Sequence, residues 1–383
     1  MINVLTVFGT RPEAIKMAPV VRALEARGDL VRNRVCVTGQ HREILDQALD
    51  FFSVRPSYDL DLMTKGQSPA DVAARVMDRF SSVMRSERPD WVLVQGDTTT
   101  TMATALAASY WGVNVAHIEA GLRTFDKTQP FPEEINRVLV SSVANLHFAP
   151  TSAARANLLA EGHDRANILV TGNPGVDALF PTLATLNGGP KHDPLRGLPD
   201  NSRIILVTAH RRENLGSPLE SICAALRDIA NRYRGRVQIV FPVHPNSKVY
   251  DAVHRVLGGI HGVNLLDPLD YRTLIHVLRR CEFVLTDSGG IQEEAPSLGK
   301  PVLVLRKVTE RPEGVYAGNA RLVGTDSDRI VEEALRLLDD QRAYRRMACP
   351  VDLYGDGGAS PRIASALIGE AVEEWNPTLH VAN

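Results

Sequence analysis

Short apolar runs alternate with longer amphipathic segments along almost the whole chain of 383 residues. The runs are rich in Val, Ile and Leu, which is typical of buried parallel strands, and the longer segments repeat apolar residues at helical spacing. In the first half the pattern predicts strands at Ile2–Phe8, Arg34–Thr38, Trp91–Val94, Val113–Ile118, Leu146–Phe148 and Ile168–Val170. In the second half it predicts strands at Ile204–Thr208, Val237–Pro242, Val263–Leu266, Phe283–Thr286 and Val302–Leu305. Strands that alternate with helices in this way predict an α/β protein with two doubly wound parallel sheets.

The two halves are separated by a stretch without periodicity, residues 183–201, which contains Pro, Gly and Asn. Such a composition is typical of a connection between elements. A chain of this length also exceeds the size of a typical single core. We therefore expect two domains, joined near this stretch.

The composition argues against several classes of protein, including nucleic-acid-binding, membrane-spanning and disulfide-rich proteins. The chain is 44% hydrophobic and 23% charged with a net charge of −2, so neither nucleic acid nor an anionic membrane is an expected partner. From the sequence pattern we expect no signal peptide and no membrane-spanning segment. Its four cysteines are far apart and form no CxxC motif, which argues against a zinc ribbon or a disulfide framework. We expect reduced, mostly buried thiols in a cytoplasmic protein.

The most informative stretch is Phe283–Leu305, which reads as strand, glycine turn, short helix and second strand. Ser288 suits the N-cap of the helix, and Gly289 and Gly290 let backbone amides approach a ligand closely. Unpaired amides at a helix N-terminus attract phosphate, and a carboxylate such as Glu294 can accept the diol of a ribose. The plainer alternative is a capped helix start without a ligand.

Polar residues also follow the ends of other predicted strands, and in open α/β sheets ligands lie beyond those ends. The residues with this placement are Arg11, Asp97, Glu119, His210, His244 and Ser288. Two such sheets facing each other would form one cleft lined from both halves. The sequence contains neither GxGxxG nor GxxxxGK[ST], so it has no dinucleotide fingerprint and no Walker loop.

Each acidic candidate has a structural alternative. Asp97 is a possible N-cap of the following helix. Glu119 would end a buried strand and need a partner, for which Arg123 is a candidate. Glu133 and Glu134 are acids that the dipole of a first helical turn favours.

The basic candidates also have two interpretations. The segment His210–Glu213 fits a surface charge cluster, but its place after an apolar strand favours a positive pocket for phosphate or substrate. His244 fits a structural histidine. Arg11 and Lys16 fit either solvated helix charges or side chains that face the cleft.

Taken together, the motifs resemble those of the non-hydrolysing UDP-N-acetylglucosamine 2-epimerases. The matching stretches run from residue 8 to about residue 360. They are Phe8–Pro19, Gln40–Arg42, Gly96–Thr101, Glu119–Thr124, Pro132–Glu134, His210–Asn214, Thr286–Pro301, Thr309–Glu313 and Tyr354–Gly357.

This resemblance implies a GT-B fold, with two Rossmann-like domains and a cleft between them. It places the first domain at residues 1–180, joined by a C-terminal helix at 360–383, and the second at 181–359. It further implies reversible conversion of UDP-N-acetylglucosamine to UDP-N-acetylmannosamine by elimination of UDP and re-addition through a 2-acetamidoglucal. The product would serve as a precursor of cell-surface polysaccharide. No cofactor and no metal is expected, and the expected assembly is a homodimer.

The resemblance also assigns roles to residues. It implies that Ser288, Gly289 and Gly290 bind the diphosphate and that Glu294 binds the ribose. The implied catalytic residues are Asp97, Glu119, Glu133 and His210. Further implied substrate contacts are Arg11, Lys16, Arg311 and, against uracil, Leu269 and Leu274. Some members bind a second substrate molecule as an activator, and the corresponding residues here are Gln40, His41, Arg212 and His244, with Gly66 in place of an arginine.

Three other functions fit parts of the pattern. A 2-epimerase of a modified UDP-sugar, such as a uronic acid, would share every motif. A GT-B glycosyltransferase would share the nucleotide half, but it needs an acceptor, and the acids of the first half argue against it. The presence of those acids also argues against a nucleotide-sugar sensor without catalysis.

Overall fold

The structure, a computed structural model, describes residues 1–39, 42–62, 64, 66–190, 192–199 and 201–377. Every strand predicted from the apolar runs is present, with ends shifted by a few residues at most. The strands are β1 Ile2–Phe8, β2 Val31–Val37, β3 Tyr58–Asp59, β4 Trp91–Gln95, β5 Asn114–Ile118, β6 Leu146–Ala149, β7 Ile168–Val170, β8 Arg203–Thr208, β9 Val237–Pro242, β10 Val263–Leu266, β11 Phe283–Thr286, β12 Val302–Val304 and β13 Ala320–Leu322. The sequence pattern missed β3 and β13 because these short strands contain polar residues and form no apolar run.

Helices occupy most of the connections between these strands. They are α1 Arg11–Glu25, α2 Arg42–Phe52, α3 Pro69–Glu87, α4 Thr99–Tyr110, α5 Glu133–Val143, α6 Ser152–Ala160, α7 Pro174–Ala184, α8 Ser217–Arg232, α9 Ser247–Leu257, α10 Tyr271–Arg280, α11 Gly289–Ser297, α12 Pro312–Tyr316, α13 Ser327–Asp339, α14 Gln341–Met347 and α15 Ala359–Leu367. Among the described residues, none of these helices is both long and apolar enough to cross a bilayer.

The strands form two parallel sheets, which confirms the predicted fold class. The first sheet has seven strands in the order β3-β2-β1-β4-β5-β6-β7, and the second has six in the order β10-β9-β8-β11-β12-β13. The strand order reverses between β1 and β4 in the first sheet and between β8 and β11 in the second. At such switch points the following loops diverge and leave a crevice for a ligand. The loops after these four strands are therefore the first places to look for a site.

The chain divides into two compact units, called here the first unit and the second unit. The first unit comprises Met1–Phe180 and Tyr354–Pro377, and the second comprises Pro181–Leu353. The helix α15 ends at Leu367, within the helix predicted at 360–383, because Gly369 takes a left-handed conformation with φ of 76°. The last part of that prediction, 378–383, lies outside the described residues. Beyond it, Trp375 donates its backbone N–H to the Val170 carbonyl at the end of β7. Its side chain is buried in the first unit.

Each unit has its own apolar core between its sheet and the covering helices. In the first unit α3 and α4 pack on β1 and β4, and the small side chains of α4 allow a close approach. In the second unit α8 packs on β9, α13 packs on β12, and the two helices pack on each other. The predicted thiols are confirmed as free, with Cys36, Cys223 and Cys281 buried and Cys349 exposed. Burial raises the pKa of each buried thiol to about 12.

Candidate functional site

In the first unit, the buried carboxylate of Glu13 holds the loop after β1 to the loop after β4. One oxygen accepts the backbone N–H groups of Gly9 at 2.9 Å and Thr10 at 2.7 Å. The other accepts the hydroxyls of Thr98 at 2.7 Å and Thr101 at 2.9 Å. Burial raises the pKa of Glu13, and these four donors oppose that rise. One signal in the sequence could have indicated this role, a Glu three residues after a possible N-cap.

The helix α1 contributes the two basic candidates of the first unit. Arg11 is its first residue and is half-buried. Lys16 is buried and forms an ion pair with Glu119, which also accepts a hydrogen bond from Asn173 Nδ2 at 2.8 Å. The interpretation of Lys16 as a solvated helix charge is therefore wrong. Its ammonium group is removed from water and is stabilised by the Glu119 carboxylate instead.

The proposed pairing of Glu119 with Arg123 is also wrong. Arg123 instead binds both carboxylate oxygens of Glu161 at 2.7 Å and donates to the Ser141 hydroxyl at 2.9 Å. Glu119 itself adopts a left-handed backbone conformation, with φ of 64°. A Cβ built on Gly96 would lie 3.9 Å from Glu119 Oε1, which places this carboxylate beside the loop that carries Asp97.

Asp97 is held by the start of α5. Arg137 forms an ion pair with its carboxylate, and Asn136 Nδ2 donates to its backbone carbonyl at 2.8 Å. Asp97 is not the N-cap of α4, since that position belongs to Thr98, whose hydroxyl accepts the backbone N–H of Thr101 at 3.1 Å. The helix-cap alternative for Asp97 is therefore wrong.

The two acids that begin α5 have different environments. Glu133 is half-buried, whereas Glu134 is almost fully buried. Glu134 accepts the backbone N–H groups of Thr124 and Phe125 at 2.9 Å and receives Arg137 Nη1 at 2.9 Å. Arg137 thus bridges Glu134 and Asp97, and the loops after β4 and β5 and the start of α5 form one charged network.

In the second unit, the loop after β8 is held to the loop after β11 by Asp287. Its Oδ2 accepts the backbone N–H groups of His210 and Arg211, each at 2.8 Å. The His210 side chain is 39% exposed, and its ring stacks on that of His244 at a centroid distance of 5.4 Å. The structure therefore places His210 with the second unit, next to the glycine turn, while Asp97, Glu119 and Glu133 belong to the first unit.

The glycine turn opens α11 as predicted, with Ser288 at the N-cap. The Ser288 hydroxyl makes no capping hydrogen bond. A Cβ built on Gly289 would lie 2.6 Å from Arg311 Nη1, so only glycine lets this guanidinium approach the helix start. Arg311 is itself buried and ion-paired with Glu293 and Glu310. These two glutamates balance the charge of Arg311, so suitability for an anion rests on the backbone amides and the dipole of the helix N-terminus.

Glu294 follows in the same helix and is bound by a residue that the sequence did not single out. Tyr271 donates its hydroxyl to Glu294 Oε1 at 2.9 Å. Burial and the Glu294 carboxylate raise the pKa of Tyr271 well above its ordinary value. Tyr271 lies between Leu269 and Leu274, both half-buried at the start of α10. The apolar stretch proposed for uracil is therefore connected directly to the carboxylate proposed for ribose.

The predicted activator site stays a prediction. Gln40 and His41 lie outside the described residues. Arg212 is exposed in a short 3-10 helix, and His244 Nδ1 accepts the backbone N–H of Asn246 at 3.1 Å.

Comparison with known proteins gives a consistent result. A family model described as UDP-N-acetylglucosamine 2-epimerase matches residues 22–368. The chain is 50% identical over 373 residues to the UDP-N-acetylglucosamine 2-epimerase of Escherichia coli (strain K12), covering 95% of this chain and 98% of that protein. It is 47% identical over 367 residues to the protein of that name from Bacillus subtilis (strain 168), covering 96% of this chain and 95% of the relative.

Solved structures of proteins with the same name also match this chain. The UDP-GlcNAc 2-epimerase from Neisseria meningitidis, bound to UDP-GlcNAc, matches with a TM-score of 0.93 and 44% identity, covering 96% of this chain and 99% of the other. The enzyme from Methanocaldococcus jannaschii, in complex with UDP-GlcNAc and UDP, matches with a TM-score of 0.85 and 32% identity, covering 95% and 99%. These likenesses confirm the predicted fold class of two Rossmann-like domains.

Proposed function

Because the chain belongs to the UDP-N-acetylglucosamine 2-epimerase family, we propose that it interconverts UDP-N-acetylglucosamine and UDP-N-acetylmannosamine by inverting C2 of the sugar. The observation that carries this proposal is the network of the first unit, in which Asp97 and Glu119 follow neighbouring strands and each carboxylate is paired with a buried cation. Such groups are suited to proton transfer in a site from which water is partly excluded.

The second unit supplies the nucleotide site in this proposal. The amides of the Ser288–Gly290 turn bind the diphosphate, next to the Arg311 guanidinium that lies against Gly289. Glu294, held by Tyr271, accepts the ribose hydroxyls. The stretch from Leu269 to Leu274 packs on uracil. Support for a uridine nucleotide comes from the Neisseria and Methanocaldococcus enzymes, which were solved with UDP-GlcNAc.

The chemical difficulty lies at C2. The proton there is not acidic, because the acetamido group is attached through its nitrogen and does not stabilise a carbanion. Loss of UDP solves this difficulty, since positive charge that develops at C1 makes the C2 proton acidic. The diphosphate site then stabilises the leaving group as it gains negative charge.

In the proposed elimination, a carboxylate of the first unit takes the C2 proton. The C–H electron pair forms the C1=C2 double bond, and the C1–O pair leaves with UDP, giving a 2-acetamidoglucal. In the second step an acid delivers a proton to the opposite face of C2, and a phosphate oxygen of UDP attacks C1. Asp97, Glu119 and Glu133 are the candidate base and acid, and His210, Arg11 and Lys16 line the nucleotide-sugar site. The two steps together are an isomerisation, in which UDP and one proton leave the sugar and are added back, so no redox cofactor is needed.

The test is incubation of the protein with UDP-N-acetylglucosamine alone in heavy water, followed by proton NMR. We expect UDP-N-acetylmannosamine to appear with deuterium at C2, because the acid that protonates the opposite face of C2 carries a deuteron taken from the solvent. A glycosyltransferase or a sensor would leave the sugar unchanged without an acceptor. Turnover with full retention of the original C2 hydrogen would contradict the elimination.

A further inference from the structure

The carboxylate of Asp287 is completely buried at the end of β11, directly before the glycine turn. Its Oδ2 atom accepts three hydrogen bonds, from the backbone N–H groups of His210 and Arg211 at 2.8 Å and from Asn214 Nδ2 at 2.9 Å. These contacts explain how the residue joins two loops. They use only one of its two oxygens.

The second oxygen needs a separate explanation. Among the described residues, Asp287 Oδ1 is buried without a hydrogen-bond partner. His210 Nδ1 lies 3.5 Å from it, within the range of an ion pair and slightly longer than a good hydrogen bond. A buried carboxylate oxygen without a donor has lost the hydrogen bonds that water gives it in the unfolded chain, and this loss destabilises the fold. Such contacts in sites without ligand often shorten when the ligand binds.

The imidazole of His210 is held on two sides. The backbone N–H of His210 donates to Asp287 Oδ2. The His210 ring lies nearly parallel to the ring of His244, with an interplanar angle of 11°. The side chain is nevertheless 39% exposed, unlike a histidine that only fills a core. An exposed ring in a fixed plane, with one nitrogen against a buried carboxylate, is the arrangement that selects one tautomer.

We propose that Asp287 is a positioning residue for His210, which keeps a proton on His210 Nδ1 and so leaves Nε2 as the nitrogen that acts on a ligand at the Ser288–Gly290 turn. The identity of that ligand as a UDP-sugar rests on the function proposed above, whereas the tautomer does not. The same carboxylate that fixes the glycine turn thus also sets the chemical form of the adjacent imidazole.

The variant Asp287→Asn separates this role from a purely structural one. An asparagine retains one oxygen, which can still accept the contacts from His210 N, Arg211 N and Asn214. Its Nδ2 group then stands in place of Oδ1 and presents a donor to His210 Nδ1. The imidazole must respond by moving its proton to Nε2, as when a triad aspartate is replaced by asparagine.

The measurement is two-bond proton–nitrogen NMR of the full chain labelled with 15N-histidine, without substrate and at a pH of about 8.5, well above the ordinary histidine pKa. The His210 signal is identified by its loss in His210→Gln. We expect a protonated Nδ1 in the wild-type protein and a protonated Nε2 in Asp287→Asn. The control Asn214→Ala removes one contact to Oδ2 without changing the group that faces Nδ1, and it should keep the wild-type tautomer.

Activity supplies the second readout. In Asp287→Asn we expect kcat to fall by about a hundredfold or more with KM changed less than about threefold, because substrate binding is retained while His210 is in the wrong form. An unprotonated Nδ1 in the wild-type protein overturns the proposal even if Asp287→Asn does not fold. A protonated Nδ1 that persists in folded Asp287→Asn also overturns it. Neither result depends on epimerase activity, so failure of the proposed function is recognised separately.

Discussion

The two sheets share the same parallel topology, but the loops at the carboxyl ends of their strands carry different chemical groups. In the first unit the loops after β4 and β5 bear carboxylates, Asp97 and Glu119, each paired with a buried cation. In the second unit the loop after β11 bears a glycine turn with the Arg311 guanidinium against it. Carboxylates are present there too, but Asp287 serves to fix loops and Glu293 to pair the arginine.

The difference shows what a parallel sheet does and does not decide. The sheet fixes where loops meet, since the carboxyl ends of its strands lie at one edge. The first residues beyond each strand decide whether that edge transfers protons or binds an anion. We infer a division of labour, with proton transfer in the first unit and nucleotide binding in the second.

Loss of a carboxylate in the first unit should have the largest effect. We expect Asp97→Asn or Glu119→Gln to lower the rate of epimerisation by about 10²–10⁴-fold, the usual span for general acid–base groups. Initial rates by NMR give the comparison. The matched control is Asp78→Asn, in which an exposed carboxylate of α3 is replaced, and its rate should equal that of the wild-type protein. Near-normal activity in both site variants would mean that these carboxylates are structural.

Loss of the cation in the same network should mainly lower stability. Arg137→Met leaves Asp97 and the buried Glu134 without their shared partner. Removing one member of a buried pair destabilises by roughly 3–5 kcal/mol. Urea unfolding measures the free energy, with Arg79→Met on an exposed arginine as the control. A difference below about 1 kcal/mol from that control would show that the network is well solvated.

Acid should destabilise the first unit through two buried histidines of β5 and β6. Burial lowers the pKa of His117 to about 4 and that of His147 to about 3. The unfolded chain has the ordinary value near 6.5, so it binds protons first, and stability falls as the pH drops from about 6.5 towards 4. For His117 alone the loss is roughly 3 kcal/mol.

The test of this acid effect is urea unfolding at several pH values in this window. The variant His117→Gln keeps a donor for the Gly96 carbonyl, which His117 Nε2 contacts at 2.8 Å, but it cannot titrate. We expect its stability to depend less steeply on pH than that of the control His261→Gln, which replaces an exposed histidine. Identical slopes would place the acid sensitivity elsewhere.

The second unit should respond to steric change at one glycine and not at its neighbour. A methyl group at Gly289 would overlap the Arg311 guanidinium, whereas one at Gly290 would have no neighbour within 4 Å among the described residues. We expect Gly289→Ala to destabilise by about 1–3 kcal/mol through overpacking. Gly290→Ala should be neutral or stabilising by up to about 1 kcal/mol, because alanine favours the helix. Unfolding without nucleotide gives both values, and equal effects would contradict the contact with Arg311.

Local sequence pattern predicted every strand except β3 and β13, and it predicted which residues follow them, because buried strands and glycine turns have local signatures. It did not predict which side chains form ion pairs with each other. Lys16 and Glu119 are 103 residues apart, and Arg123 meets Glu161 instead of the nearby Glu119. Such pairings depend on how helices lie across the sheet. The fixing roles of Glu13, Tyr271 and Asp287 were missed for the same reason, since each depends on contacts made after the chain has folded.

The measurement that tests the division of labour most directly is calorimetric titration of UDP into three forms of the protein. The wild-type protein and Asp97→Asn should bind UDP with the same affinity, although the variant should epimerise far more slowly. Glu294→Gln, in which the carboxylate held by Tyr271 is lost, should bind UDP at least about tenfold more weakly, because a charged acceptor for the ribose hydroxyls is removed. Full UDP affinity in Glu294→Gln, together with loss of binding in Asp97→Asn, would contradict the account.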